Sequence, residues 1–170
     1  MKYIFLILIM FLKITFVNAH QDTTIVKVKK EWGNFGIGAS SVKIIKNTVG
    51  GINFGINYYR SVGNNFYQIG FDETFSVFGG NRIIGNINTG IGKRIFNKYF
   101  LGAGFIGPNF VFGKIRDDNK HFFTIGIASN IQIIFKPIKD FGIGTELFAN
   151  LNFKVSTIGF RLILHISNAK

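Results

Sequence analysis

From residue 34 onward, apolar and polar positions alternate with a period of two, and turn residues interrupt the alternation at short intervals. Phe35, Ile37 and Ala39 alternate with Asn34, Gly36, Gly38 and Ser40, and Ile52, Phe54, Ile56 and Tyr58 with Asn53, Gly55, Asn57 and Tyr59. The third run sets Tyr67, Ile69, Phe71 and Phe75 against Gln68, Gly70, Asp72 and Thr74. The fourth sets Ile83, Ile87 and Ile91 against Asn86, Asn88, Gly90 and Gly92. In the fifth, Leu101, Ala103 and Phe105 take the apolar face and Gly102 and Gly104 the polar one. Ile125, Ile127, Ile131 and Ile133 then oppose Thr124, Gly126, Ala128, Asn130 and Gln132. Phe141, Ile143 and Leu147 oppose Gly142, Gly144, Glu146 and Asn150, and Ile158 to Ile166 oppose Thr157, Gly159, Arg161 and His165. Alternation of this kind marks strands, not helices. Each run approaches the roughly 9–11 residues with which a tilted strand crosses a bilayer. Short turns at 61–65, 76–81, 96–98, 115–120, 137–140 and 153–155 suit an antiparallel meander.

Which face turns outward decides the class. A soluble barrel or sandwich turns its apolar side chains inward and covers its outside with charge. Here the polar face is Asn, Gln, Thr, Ser and Gly with almost no charge, and the apolar face carries large Ile, Leu and Phe. A lipid-facing exterior and a narrow polar interior follow. Aromatics collect near the strand ends (Tyr58, Tyr59, Phe66, Tyr67, Phe75, Phe96, Tyr99, Phe100, Phe122, Phe123, Phe135 and Phe141), as in interfacial girdles. The pattern predicts an all-β fold, an eight-stranded antiparallel up-and-down transmembrane β-barrel. A secreted soluble β-barrel binding a small apolar ligand is the competing architecture.

Composition adds a destination. Lys2, the apolar run Ile4–Leu12 and the small residues before His20 read as a secretory signal peptide over 1–19. Residues 20–31 form an N-terminal segment, within which 21–30 reads either as an extension of the first strand or as a separate piece. Residues 32–170 are the barrel. Removing 1–19 takes away Lys2 and Lys13, so the formal charge falls from +12 to +10. With no cysteine there is no disulfide framework and no thiolate metal site. His20, His121 and His165 are scattered without metal-ligand spacing, so no cofactor is expected. The Lys and Arg residues spread over turns on both rims and make no stripe, which excludes nucleic acid as a partner. Outer-membrane lipid and the phosphates of lipopolysaccharide are the expected contacts.

In strand count, short turns, girdles and Gly-rich runs such as Tyr99-Phe-Leu-Gly-Ala-Gly-Phe105, residues 32–167 resemble the small eight-stranded outer-membrane barrels of the OmpA/OmpX type. The resemblance implies residence in a Gram-negative outer membrane. A second, local resemblance is to outer-membrane lipid A deacylases. His165-Ile-Ser167-Asn168 matches their His-x-Ser-Asn string, which implies a general base at His165 and a nucleophile at Ser167. The acid of that family follows on a further strand, which is missing after Asn168, and His165 falls on the interior face. No catalytic residue is therefore expected.

Three charges fall on the interior face: Asp72, Glu146 and Arg161. With the last hairpin tipped at residues 153–154, Glu146 and Arg161 oppose one another as an ion pair. Counting from the other turns gives Asp72 the neighbours Asn53 and Asn86. Such charges in a narrow lumen must be paired, because isolation costs several kcal/mol. An interior of eight strands holds side chains or one small ligand, not a wide pore. The inward glycines of the lower half, with Tyr59 between them, are expected to permit tight curvature. The expected function is structural or accessory, as a subunit beside a larger outer-membrane complex.

Overall fold

The computed structural model describes residues 31–44, 47–62, 65–77, 83–115, 120–138 and 140–167. The expected signal peptide and the ambiguous stretch 21–30 lie outside the described residues. The elements are β1 (Glu31–Ile44), β2 (Asn47–Val62), β3 (Asn65–Ser76), β4 (Ile83–Phe96), β5 (Phe100–Ile115), β6 (Lys120–Ile138), β7 (Phe141–Leu151) and β8 (Val155–Ser167). Each strand pairs antiparallel with the next, and β1 pairs with β8 from Trp32↔Ser167 to Ile44↔Val155, which closes the barrel. Closure removes every sheet edge, as a strand protein in lipid requires.

Strands of 11 to 19 residues exceed the alternating runs, because the ladder continues past the point where lipid dictates side-chain type. Near the end of β6 the pairing with β7 slips between Phe135 and Ile138, where Pro137 has no N–H to offer the ladder. Large apolar side chains cover most of the outer wall, with Ile56, Ile133, Leu147 and Ile158 each about 60% exposed. A continuous wall of this kind belongs in lipid.

Two face assignments are corrected. On β5, Leu101, Ala103 and Phe105 point into the lumen and are almost fully buried, while Gly102 and Gly104 lie on the outer wall. The phase of β5 is set higher up, where Asn109 and Val111 point inward at 0% exposure, and the pleat carries that parity down to Leu101. Among the expected girdle, Tyr59, Phe66 and Phe122 turn inward. Tyr58, Tyr67, Phe96, Tyr99, Phe100, Phe123, Phe135 and Phe141 remain on the outside.

Candidate functional site

The lumen has three layers. At the end holding β1's start and β8's finish, Trp32, Tyr59, Leu101, Ala103, Phe105, Ile134 and Ile163 form one apolar cluster, joined by Phe66. Trp32 stacks on Tyr59 at 4.9 Å and Tyr59 leans on Phe105 at 4.8 Å. The Arg94 guanidinium covers this cluster from the rim, 4.7 Å from the Trp32 ring and 4.4 Å from that of Phe66. At the opposite end Val42, Ile44, Ile84, Val111 and Val155 form a second cluster with Phe122. Between the two lies a polar section.

Arg161 is the centre of that section. β8 places it opposite Glu146 on β7, and its Nη2 donates to Glu146 Oε1 at 3.0 Å. Its Nη1 donates to Asp72 Oδ1, reaching across the lumen to β3. The guanidinium also lies 4.3 Å from the ring centre of Phe148. Asp72 accepts a second hydrogen bond from Asn88. All three charged side chains are at most 2% exposed. The arrangement is a triad of two carboxylates and one guanidinium, not the pair that the last hairpin alone suggests.

The neighbours expected for Asp72 divide. Asn86 is its cross-strand partner on β4, yet the bond comes from Asn88, two residues along. On β2 the partner of Asp72 is Gly55, and Asn53 instead faces Thr74, to which it donates at 2.9 Å. The tight β2–β3 connection, with Val62 opposite Asn65, sets this register. Gly55 matters for what it lacks: a Cβ there would overlap the Arg161 guanidinium and crowd Asp72.

Amides fill the rest. Asn130 donates to Gln68 and Gln68 to Asn57, each at 2.9 Å, and Asn34 donates to Gln132. His165 Nδ1 bonds Asn34 Oδ1 at 2.9 Å with its ring fully buried in the lumen. Ser167 lies on the same interior face at 4% exposure. A cavity beside Gln68, Asn88 and Phe105 has a volume of about 10 Å³, about what one water needs. Among the described residues no group of His, Asp and Glu has the makings of a metal site.

Sequence reasoning missed Asn88, Phe148 and Arg94. Phe148 carried a readable signal, since it is apolar yet shares the phase of Glu146 and Asn150. Arg94 shares the interior phase of Asn86 and Asn88, but its contacts with Trp32 on β1 and Phe66 on β3, beside Phe96 on its own strand, are set only by the closed barrel.

No protein-family model and no curated protein matches the chain. Solved structures do. Neisserial surface protein A superposes with a TM-score of 0.63 at 5% identity, covering 81% of this chain and 97% of that one. Ail, the attachment invasion locus protein of Yersinia pestis, gives 0.60 at 14% identity, covering 82% and 99%. The N-terminal β-barrel domain of Pseudomonas aeruginosa OprF gives 0.52 at 8% identity, covering 81% and 98%. The chain has the fold of these small eight-stranded outer-membrane barrels.

Proposed function

We propose that this barrel is inserted in the outer membrane as a non-conducting protein with a structural or accessory role, seated as a subunit beside a larger outer-membrane complex. The observation that carries the reading is the doubly sealed lumen. Water or solute passing through would have to displace Trp32, Tyr59 and Phe105 at one end and Val42, Ile84 and Val111 at the other. Between them it would meet a locked triad. The connections are short, the longest spanning residues 77–82, which leaves little outside the bilayer to form a receptor surface. The outer wall is then the largest surface on offer to a partner. Exposed Lys43, Lys114 and Lys154 at the rim away from the termini support contact with lipopolysaccharide phosphates. The inward placement of His165 and Ser167 supports a non-enzymatic role, because a lipid ester has no access to them.

Planar-bilayer recording tests the reading. The purified barrel should give no stable channel openings, and porin-sized steps would refute the sealed lumen. The same material should stay in the outer-membrane fraction through carbonate extraction.

A further inference from the structure

Glu73 is a charge on the lipid side of the wall. Asp72 and Thr74 on either side of it are buried in the lumen at 1% exposure, so Glu73 points outward with Phe71 and Phe75. Its cross-strand neighbours are Phe54 on β2 and Gly85 on β4. Phe54 and Phe75 meet edge to face at 5.9 Å. Gly85 also belongs to the outer face but is buried, because the Phe112 ring from β5 lies over it. Phe112 in turn is 6.4 Å from Phe71. Four phenylalanines therefore frame one carboxylate.

Glu73 sits three residues before the end of β3 at Ser76, roughly 7 Å inside the rim for a tilted strand. Phe75 and its partner Ile83 stand between it and that rim. An acid at such a depth is unfavourable against hydrocarbon. Among the described residues no ion pair engages its carboxylate. Among the described residues, the outward cations lie at other heights. Lys114 pairs with Ile83 and so sits nearer the rim, Lys43 lies next to the end of β1, and Lys93 bonds Asn65 near the opposite rim. A second copy standing upright in the same bilayer thus brings none of these lysines to the depth of Glu73. Lipopolysaccharide phosphates carry the same sign as Glu73 and are repelled.

We propose that the outer face of β3–β5 around Glu73 is the docking surface for a different membrane-spanning protein, which presents a lysine or arginine from its own lipid-facing wall to this carboxylate. Low dielectric strengthens the pair, and the aromatic frame excludes lipid from it. The inference rests on the accessory-subunit reading and names the surface that reading needs.

The test uses the full chain in native outer membranes, with a photo-cross-linking benzoylphenylalanine in place of Ile87, on the same outer face, and a control in place of Leu162 on β8. A discrete adduct with another protein is expected from the Ile87 site. It should fall at least tenfold in Glu73→Lys, and return when the partner's basic residue, located by mass spectrometry of the adduct, is changed to Glu. In vesicles of phosphatidylcholine alone, where no partner is present, Glu73→Gln should raise the urea midpoint of unfolding. An unchanged midpoint would mean that the carboxylate is satisfied within its own chain, and would overturn the proposal. So would an adduct of twice the chain's mass, or one indifferent to the charge at position 73. A barrel that migrates alone on native gels in mild detergent would instead defeat the accessory-subunit reading itself.

Discussion

Arg161→Met is the most informative single change in the lumen. The native triad sets one guanidinium against the carboxylates of Asp72 and Glu146, all but sealed from water. Deleting the cation strands two buried acids at once. Removing one partner of a buried ion pair costs about 3–5 kcal/mol, which is roughly two to four powers of ten in the folding equilibrium. Glu146→Gln is a different perturbation. It leaves Asp72 and Arg161 balanced one to one, and the new amide oxygen still accepts from Nη2, so the loss should stay near about 1 kcal/mol. Asp72→Asn falls between, because Arg161 and Asn88 both lose a charged acceptor. The expected order of destabilisation is Arg161→Met, then Asp72→Asn, then Glu146→Gln. The double change Arg161→Met with Glu146→Gln should remain poor, since Asp72 is still orphaned. Only removal of all three charges should recover stability. Urea unfolding in lipid vesicles measures the series, with Trp32, the chain's one tryptophan, as the reporter. Its stacking on Tyr59 at 4.9 Å is lost on unfolding. If Glu146→Gln proved as damaging as Arg161→Met, Asp72 would not be sharing the guanidinium and the triad would be wrong.

Gly55→Ala should destabilise by about 1–3 kcal/mol through overpacking against Arg161, whereas Gly104→Ala should be neutral within about 0.5 kcal/mol. The nearest atom to a Cβ at Gly104 is 3.7 Å away, so equal costs in the same unfolding assay would contradict the outward placement of Gly104. Tyr59→Ala empties the centre of the lower cluster and should cost about 3–5 kcal/mol, with a shift in Trp32 emission in the folded state. An unaltered Trp32 spectrum would show that the two rings do not stack.

Strand number, short connections and the inside-out polarity were legible along the chain, because side chains on a strand alternate between two faces and lipid demands an apolar one. Asp72, Glu146 and Arg161 were legible as interior charges for the same reason. In the structure Arg161 does stand opposite Glu146, a relation set by one local hairpin. What no local pattern contained was the distance across the lumen. Asp72 meets Arg161 only because closure brings β1 against β8, and because Gly55 on the intervening β2 leaves the space empty. β5 was misread for a related reason. Leu101, Ala103 and Phe105 look like lipid-facing residues, but at the end of a barrel the interior itself must be filled, and there apolar side chains serve as plugs. The same ambiguity hid Ile134 and Ile163. A period of two states that two faces differ, but not which face a bulky apolar residue near a strand end belongs to. That is decided by the shared pleat of the whole strand and by the volume that its seven neighbours leave in the middle.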